Sequence, residues 1–164
     1  MTGHVIIAPE QAADIAAIRA IHTAAFGQPA EADLVDALRQ GGWAEISLVA
    51  KGLKEALGHV LFSRLEASMR AVALAPLAVL PDRQGSGIGS ALVYDGLRSA
   101  AEQGWEAVFV LGDPAYYERF GFSREAARGY DSIYAGDNFM MLELRPGSAR
   151  PGAIRYPPPF AGLE

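Results

Sequence analysis

The stretch Val79-Leu80-Pro81-Asp82-Arg83-Gln84-Gly85-Ser86-Gly87-Ile88-Gly89-Ser90 carries a strand-like apolar run into glycines and then into a helical pattern. Alternating glycines let successive backbone N–H groups converge on one concavity. The helix N-terminus adds about half a positive charge, so the turn suits a phosphate or pyrophosphate. The dinucleotide pattern G-x-G-x-x-G, read from Gly85, would need glycine where Ser90 stands, and the closing Gly-Lys-Ser/Thr of a nucleotide P-loop is absent. No G-x-S-x-G elbow surrounds Ser86 or Ser90, which weakens a hydrolase reading. An anionic cofactor is the natural guest, and a plain helix-starting turn is the alternative. With no cysteine there is no thiolate nucleophile, disulfide or Cys-based metal site, and His4, His22 and His59 show no metal-ligand spacing.

Gln84-Gly85-Ser86-Gly87-Ile88-Gly89 resembles the Gln/Arg-x-x-Gly-x-Gly/Ala acetyl-coenzyme A motif of the GNAT N-acetyltransferase superfamily. A second block, Leu111-Gly112-Asp113-Pro114-Ala115-Tyr116-Tyr117-Glu118-Arg119-Phe120-Gly121-Phe122, is similar to the family's Tyr-x-x-x-Gly-Phe signature. Its particular wording, with Gly58-His59-Val60-Leu61-Phe62-Ser63 upstream, is similar to a bacterial branch of the family. The resemblance spans about residues 5 to 145 and is strongest over 74 to 122.

The resemblance implies acetyl-coenzyme A as cofactor. Its acyl arm would lie along Leu77, Ala78 and Val79, and its pyrophosphate on Gln84, Gly85, Ser86, Gly87, Ile88, Gly89 and Ser90, with Gly112 and Tyr116 beside it. It implies Tyr117 as the general acid. A thiolate leaving group has a conjugate-acid pKa near ~8.5, and a positioned phenol can protonate it, typically for about 100-fold or more. The oxyanion donor would be a backbone N–H at or beside Val79. An alkylamine acceptor of pKa ~10.4 must lose a proton before attack. Glu31 and His59 are the candidates for that task, against the plainer readings of a helix N-terminal acid and an ordinary strand histidine. No residue carries an acyl group in this reading, so transfer is direct to the amine of a small molecule, peptide or protein. The alternative is an acyl-coenzyme A sensor with little turnover.

Several elements must position these groups. Val5 to Ala8 reads as a strand, and Ile15, Ile18, Ile21 or His22, and Ala25 as a helix ending near Gly27. Glu31 to Gln40 repeats the helical period, with Gly41-Gly42 as its stop. Ile46 to Ala50, Ala56 to Arg64 and Arg70 to Leu80 read as an antiparallel meander, in which Pro76 demands a bulge or an unpaired position. A helix from the glycine turn to Gly104 and a strand over Trp105 to Leu111 complete a strand-helix-strand unit, whose two strands should be parallel. A short helix over Pro114 to Arg119 and a strand over Phe139 to Leu144 follow. The order predicts one mixed α/β domain. The resemblance adds a mostly antiparallel central sheet with a parallel, splayed pair of strands around the cofactor. The domain should span 1–145, and Pro151, Pro157, Pro158 and Pro159 make 146–164 an extended extension that drapes over it or leaves it.

A chain of 164 residues, 51% hydrophobic, is enough for one substantial core. Its formal net charge of -5 argues against a nucleic acid partner and favours a cationic acceptor. Met1 to Glu10 lacks the pattern of a leader peptide, and no window approaches the ~18 apolar residues of a membrane span. A cytoplasmic protein without membrane partner is expected, and a homodimer is left open.

Overall fold

The computed structural model describes residues 4–163; Met1 to Gly3 and Glu164, the outer ends of the expected domain and extension, lie outside the described residues. Six strands form one sheet in the order β1-β2-β3-β4-β5-β6: β1 Ile6–Pro9, β2 Ala44–Lys51, β3 Ala56–Arg64, β4 Ala71–Val79, β5 Ala107–Leu111 and β6 Phe139–Glu143. Every neighbouring pair is antiparallel except β4 and β5, which the helix α3, Ile88–Glu102, connects as a parallel crossover. The single mixed α/β domain and its one parallel pair match the expectation from the sequence.

Alternation along the central strands sorts their side chains between two helical layers. Val60, Phe62, Val72 and Leu74 pack with Ile88, Leu92 and Val93 of α3. Val49 and Leu61 face the other way, onto α1 (Ile15–Phe26) and α2 (Ala30–Gln40), where Ile18, Leu34, Val35 and Leu38 are buried. Helix α1 stops where expected because Gly27, at φ 71°, takes the left-handed cap conformation and donates its N–H to the Thr23 carbonyl.

Pro76 acts as its lack of a donor requires. Val60 pairs with Leu77 and Phe62 with Leu74, so one residue of β3 faces the two residues Ala75 and Pro76, a β-bulge. On its other edge β4 pairs with β5 only from Ala71 to Ala73, opposite Ala107 to Phe109. Beyond that point β4 continues to Val79 and β5 to Leu111 without pairing each other, so the two strands diverge towards their C-terminal ends.

Two segments differ from their sequence readings. A one-turn helix α5, Arg124–Ala127, lies in a stretch to which the sequence assigns no element, capped by the Ser123 hydroxyl accepting from the Ala126 N–H at 3.2 Å. The proline-rich end is not wholly extended. Ile154 is buried against Leu65 and Phe109, Arg155 bridges Glu66, and Pro158–Leu163 coils into a 3-10 helix that buries Phe160 against α2. Prolines without N–H groups are tolerated there because the first turn of a helix needs no donors.

Candidate functional site

Where β4 leaves β5, a cleft of about 450 Å³ opens on the α3 side of the sheet. Leu77 and Val79 form its strand wall, and Gln84, Gly85, Gly87, Ile88, Gly89 and Ser90 form its head. Tyr116 closes it from the short helix α4, Pro114–Tyr117. Nine of the sequence-derived cofactor residues therefore meet in one place, because a strand, a turn and two helix starts converge at the divergence.

The turn is built to expose its backbone. Gly85 and Gly87 have φ of 80° and 90°, and a Cβ on either would meet nothing within 4 Å, so both border open space in a conformation that glycine adopts without cost. A Cβ on Gly89 would come within 3.1 Å of the Tyr116 hydroxyl, so that glycine allows the phenol to close on the start of α3. The Gln84 amide donates to the Val79 carbonyl at 3.0 Å and fastens the turn to the end of β4. Ser86 does not line the cleft; its hydroxyl donates to the Arg83 carbonyl at 2.6 Å and stiffens the turn. Ala78 also lies off the cleft, paired directly with His59 and so on the opposite face.

Arg83 and Arg119 line the same cleft, and sequence reading missed both. Arg119 stacks over the Tyr116 ring at 4.9 Å and donates to the Ser90 hydroxyl at 2.7 Å. The signal was available in the second motif, where Arg119 falls one helical turn from Tyr116. An apolar floor, a nest of free N–H groups at a helix N-terminus and two guanidinium groups suit an extended arm ending in a diphosphate.

Tyr117 packs outside the cleft lining, edge-on to Tyr116 at 5.0 Å and to Phe122 at 5.8 Å. Its ring lies against the backbone of Gly112, where a Cβ would come within 2.6 Å of the ring. Burial, with a smaller push from Tyr116, moves the phenol up to about 12, so it holds its proton at neutral pH.

Glu31 and His59 lie away from this cleft. Glu31, half-exposed near the start of α2, accepts from the Gln28 amide at 3.2 Å. His59 is fully buried under α1, with Nδ1 at 2.8 Å from His22 Nε2 and Nε2 at 2.7 Å from the Ser47 hydroxyl. Burial pulls its pKa down, against the upward pull of Glu10.

Residues 15–122 match the Acetyltransferase (GNAT) family, and the chain belongs to that family. It is 39% identical over 130 residues to the uncharacterized N-acetyltransferase YjhQ of Escherichia coli K12, covering 74% of this chain and 71% of that one. To the uncharacterized N-acetyltransferase YhbS of the same organism it is 41% identical over 117 residues, covering 69% and 70%. The crystal structure of YhbS from Escherichia coli in complex with CoA superposes with a TM-score of 0.88 at 34% identity, over 96% of this chain and 92% of that one. A GNAT family acetyltransferase from Brucella melitensis in complex with acetyl-CoA gives 0.82 at 34% identity, over 96% and 98%. These neighbours are consistent with acetyl-coenzyme A as the cofactor of the family to which this chain belongs. Among the described residues, no helix is long and apolar enough to cross a membrane.

Proposed function

We propose that this acetyltransferase moves an acetyl group from acetyl-coenzyme A directly to an amine, with Tyr117 as general acid. The observation that carries the reading is the divergence of β4 from β5 beside the glycine nest, which leaves the Leu77 to Val79 edge of β4 unpaired by β5. Residues Gly85 to Ser90 would hold the diphosphate through backbone N–H groups, with Arg83 and Arg119 adding charge, and Leu77 and Val79 would border the arm. When bound, the cofactor supplies an activated thioester.

The chain's own groups have separable tasks. A backbone N–H at or beside Val79 is fixed by strand geometry and stabilises developing negative charge by a few kcal/mol. The Tyr117 hydroxyl, kept protonated by burial, delivers its proton to the leaving sulfur. Both ring nitrogens of His59 are engaged in buried hydrogen bonds, which supports a positioning role for it rather than proton abstraction. Glu31 is the acid available to attract a cationic amine.

Replacing Tyr117 with Phe tests the assignment. The packing surface is kept and only the proton is removed, so kcat should fall about 100-fold while coenzyme A affinity by calorimetry stays the same. Unchanged turnover would remove Tyr117 from the mechanism. Tight coenzyme A binding with no acetyl transfer to any amine would indicate a sensor instead.

A further inference from the structure

A second cavity, of about 560 Å³, is lined by the first half of α1 and the turn that joins β2 to β3, and shares no lining residue with the cofactor cleft. Its volume falls within the roughly 300–1,000 Å³ of small-molecule sites. Ala17, Ala20 and Ile21 of α1, Ala56 of β3 and Leu80 beyond β4 supply an apolar surface. Four charged residues, Asp14, Lys51, Lys54 and Glu55, stand beside it.

Two of these charges answer each other. Asp14 Oδ1 lies 3.2 Å from Lys51 Nζ while Oδ2 accepts the Gln11 N–H at 2.8 Å, so this carboxylate, only 12% exposed, is fully engaged. The other two are available. Lys54 forms no ion pair among the described residues. Glu55 Oε1 stands 3.8 Å from Arg83 Nη2, beyond hydrogen-bonding distance, and both side chains are about half exposed.

From this lining we infer a binding site for an α-amino acid with an aliphatic side chain, acting as an effector of cofactor binding; the effector role rests on coenzyme A occupying the cleft. One free cation and one loosely held anion from adjacent residues, beside an apolar surface, match a ligand whose carboxylate, ammonium and side chain spring from one carbon. Lys54 takes the carboxylate, Glu55 the ammonium, and Ile21 and Leu80 cover the side chain. Arg83 couples the two sites. It lines the cofactor cleft, so its guanidinium has two anionic claimants, Glu55 and the diphosphate. An ammonium on Glu55 releases Arg83 to the diphosphate, and a diphosphate on Arg83 leaves Glu55 to the ammonium. Each ligand strengthens the other by the same factor, and an exposed ion pair sets that factor at about two- to fivefold.

Calorimetry with the full chain measures coenzyme A affinity with and without saturating L-leucine, and saturation-transfer NMR reads leucine binding directly. Leucine is expected to tighten coenzyme A about two- to fivefold, whereas 4-methylpentanoate, the same skeleton without the ammonium, leaves it unaltered. Glu55→Gln should by itself tighten coenzyme A about two- to fivefold, by releasing Arg83, and abolish the leucine effect; a merely structural Glu55 would not raise affinity when replaced. Lys54→Gln should weaken leucine about fivefold or more at unchanged coenzyme A affinity. No leucine signal at millimolar concentration, or an equal effect from 4-methylpentanoate, overturns the site. A leucine signal with unaltered coenzyme A affinity, or N-acetylleucine formed from acetyl-coenzyme A, overturns the effector role. Failure of coenzyme A to bind with or without leucine overturns the cofactor reading instead, while the NMR signal still decides the site.

Discussion

Gly112 has no side chain, and the Tyr117 ring occupies the space one would need. Its backbone is held independently, the N–H donating to the Asn138 carbonyl at 3.0 Å. Gly112→Ala therefore pushes the ring and leaves the strand end in place. A displacement near 1 Å is enough to cost a proton donor on the order of 100-fold. The expected outcome is a fall in kcat of about tenfold or more with coenzyme A affinity retained, measured by steady-state kinetics beside calorimetry. Loss of thermal stability with normal kcat would instead mark Tyr117 as packing. Tyr116 and Tyr117 also show what local sequence can and cannot convey. The motif brings two adjacent phenols to the site, but only the fold separates them, one facing the glycine nest and one buried against Gly112 and Phe122.

Helix α3 joins the glycine turn to the core, and at Gly96 it lies tightly against β3. A Cβ there would overlap the Phe62 ring of β3. Two effects compete in Gly96→Ala. Alanine favours a helix over glycine by about 1 kcal/mol, whereas overpacking a tight contact costs typically about 1–3 kcal/mol. Phe62 is fully buried and has nowhere to turn, so the steric cost prevails and the melting temperature should fall by several degrees in a thermal-shift measurement. An unchanged or raised melting temperature would show that helix and sheet can separate freely. Helix α3 was readable because glycines bound it and its apolar residues recur at helical spacing. Helix α5 was not, because one turn carries no period and rests on the Ser123 cap. Arg119 was only half legible: its partner Tyr116 stands in the same motif, but Ser90 comes from α3, and only the fold brings the guanidinium to that hydroxyl.

Across the whole molecule, a single hydrogen-bonded string ties α1, β2, β3 and the end of β1 together, and its direction is set by chemistry. The Ser47 hydroxyl donates to Glu10 at 2.5 Å, so its oxygen accepts from His59 Nε2–H. His59 Nδ1 must then accept from His22 Nε2–H, which leaves His22 Nδ1 as a buried lone pair with no partner. Arg39 of α2 completes the string by donating to both Glu10 oxygens, at 2.6 and 2.9 Å. None of these contacts was legible in the sequence, since His22 and His59 are 37 residues apart and each reads as an isolated histidine. The string works only with neutral imidazoles. Burial, then the nearby His59 and Arg39, drive the His22 pKa down to about 3. Burial would raise Glu10, but the neighbouring His59 imidazole, the hydrogen bonds from Arg39 and Ser47 and the charge of Arg39 together hold it well below its ordinary value. In the unfolded chain His22 titrates near 6.5, so between about 6.5 and 3 the unfolded state binds more protons and stability falls as pH falls. Glu10 acts in the same direction below about 4.5, where the unfolded carboxyl protonates first. The melting temperature should therefore be level above pH 7 and decline from about pH 6.5, before any ordinary carboxylate titrates. The slope should approach ~1.4 kcal/mol per pH unit for each histidine that takes up a proton on unfolding. A melting temperature unchanged from pH 7 to pH 5 would mean that the histidine pair is already charged or solvated, and the one-way string would not exist.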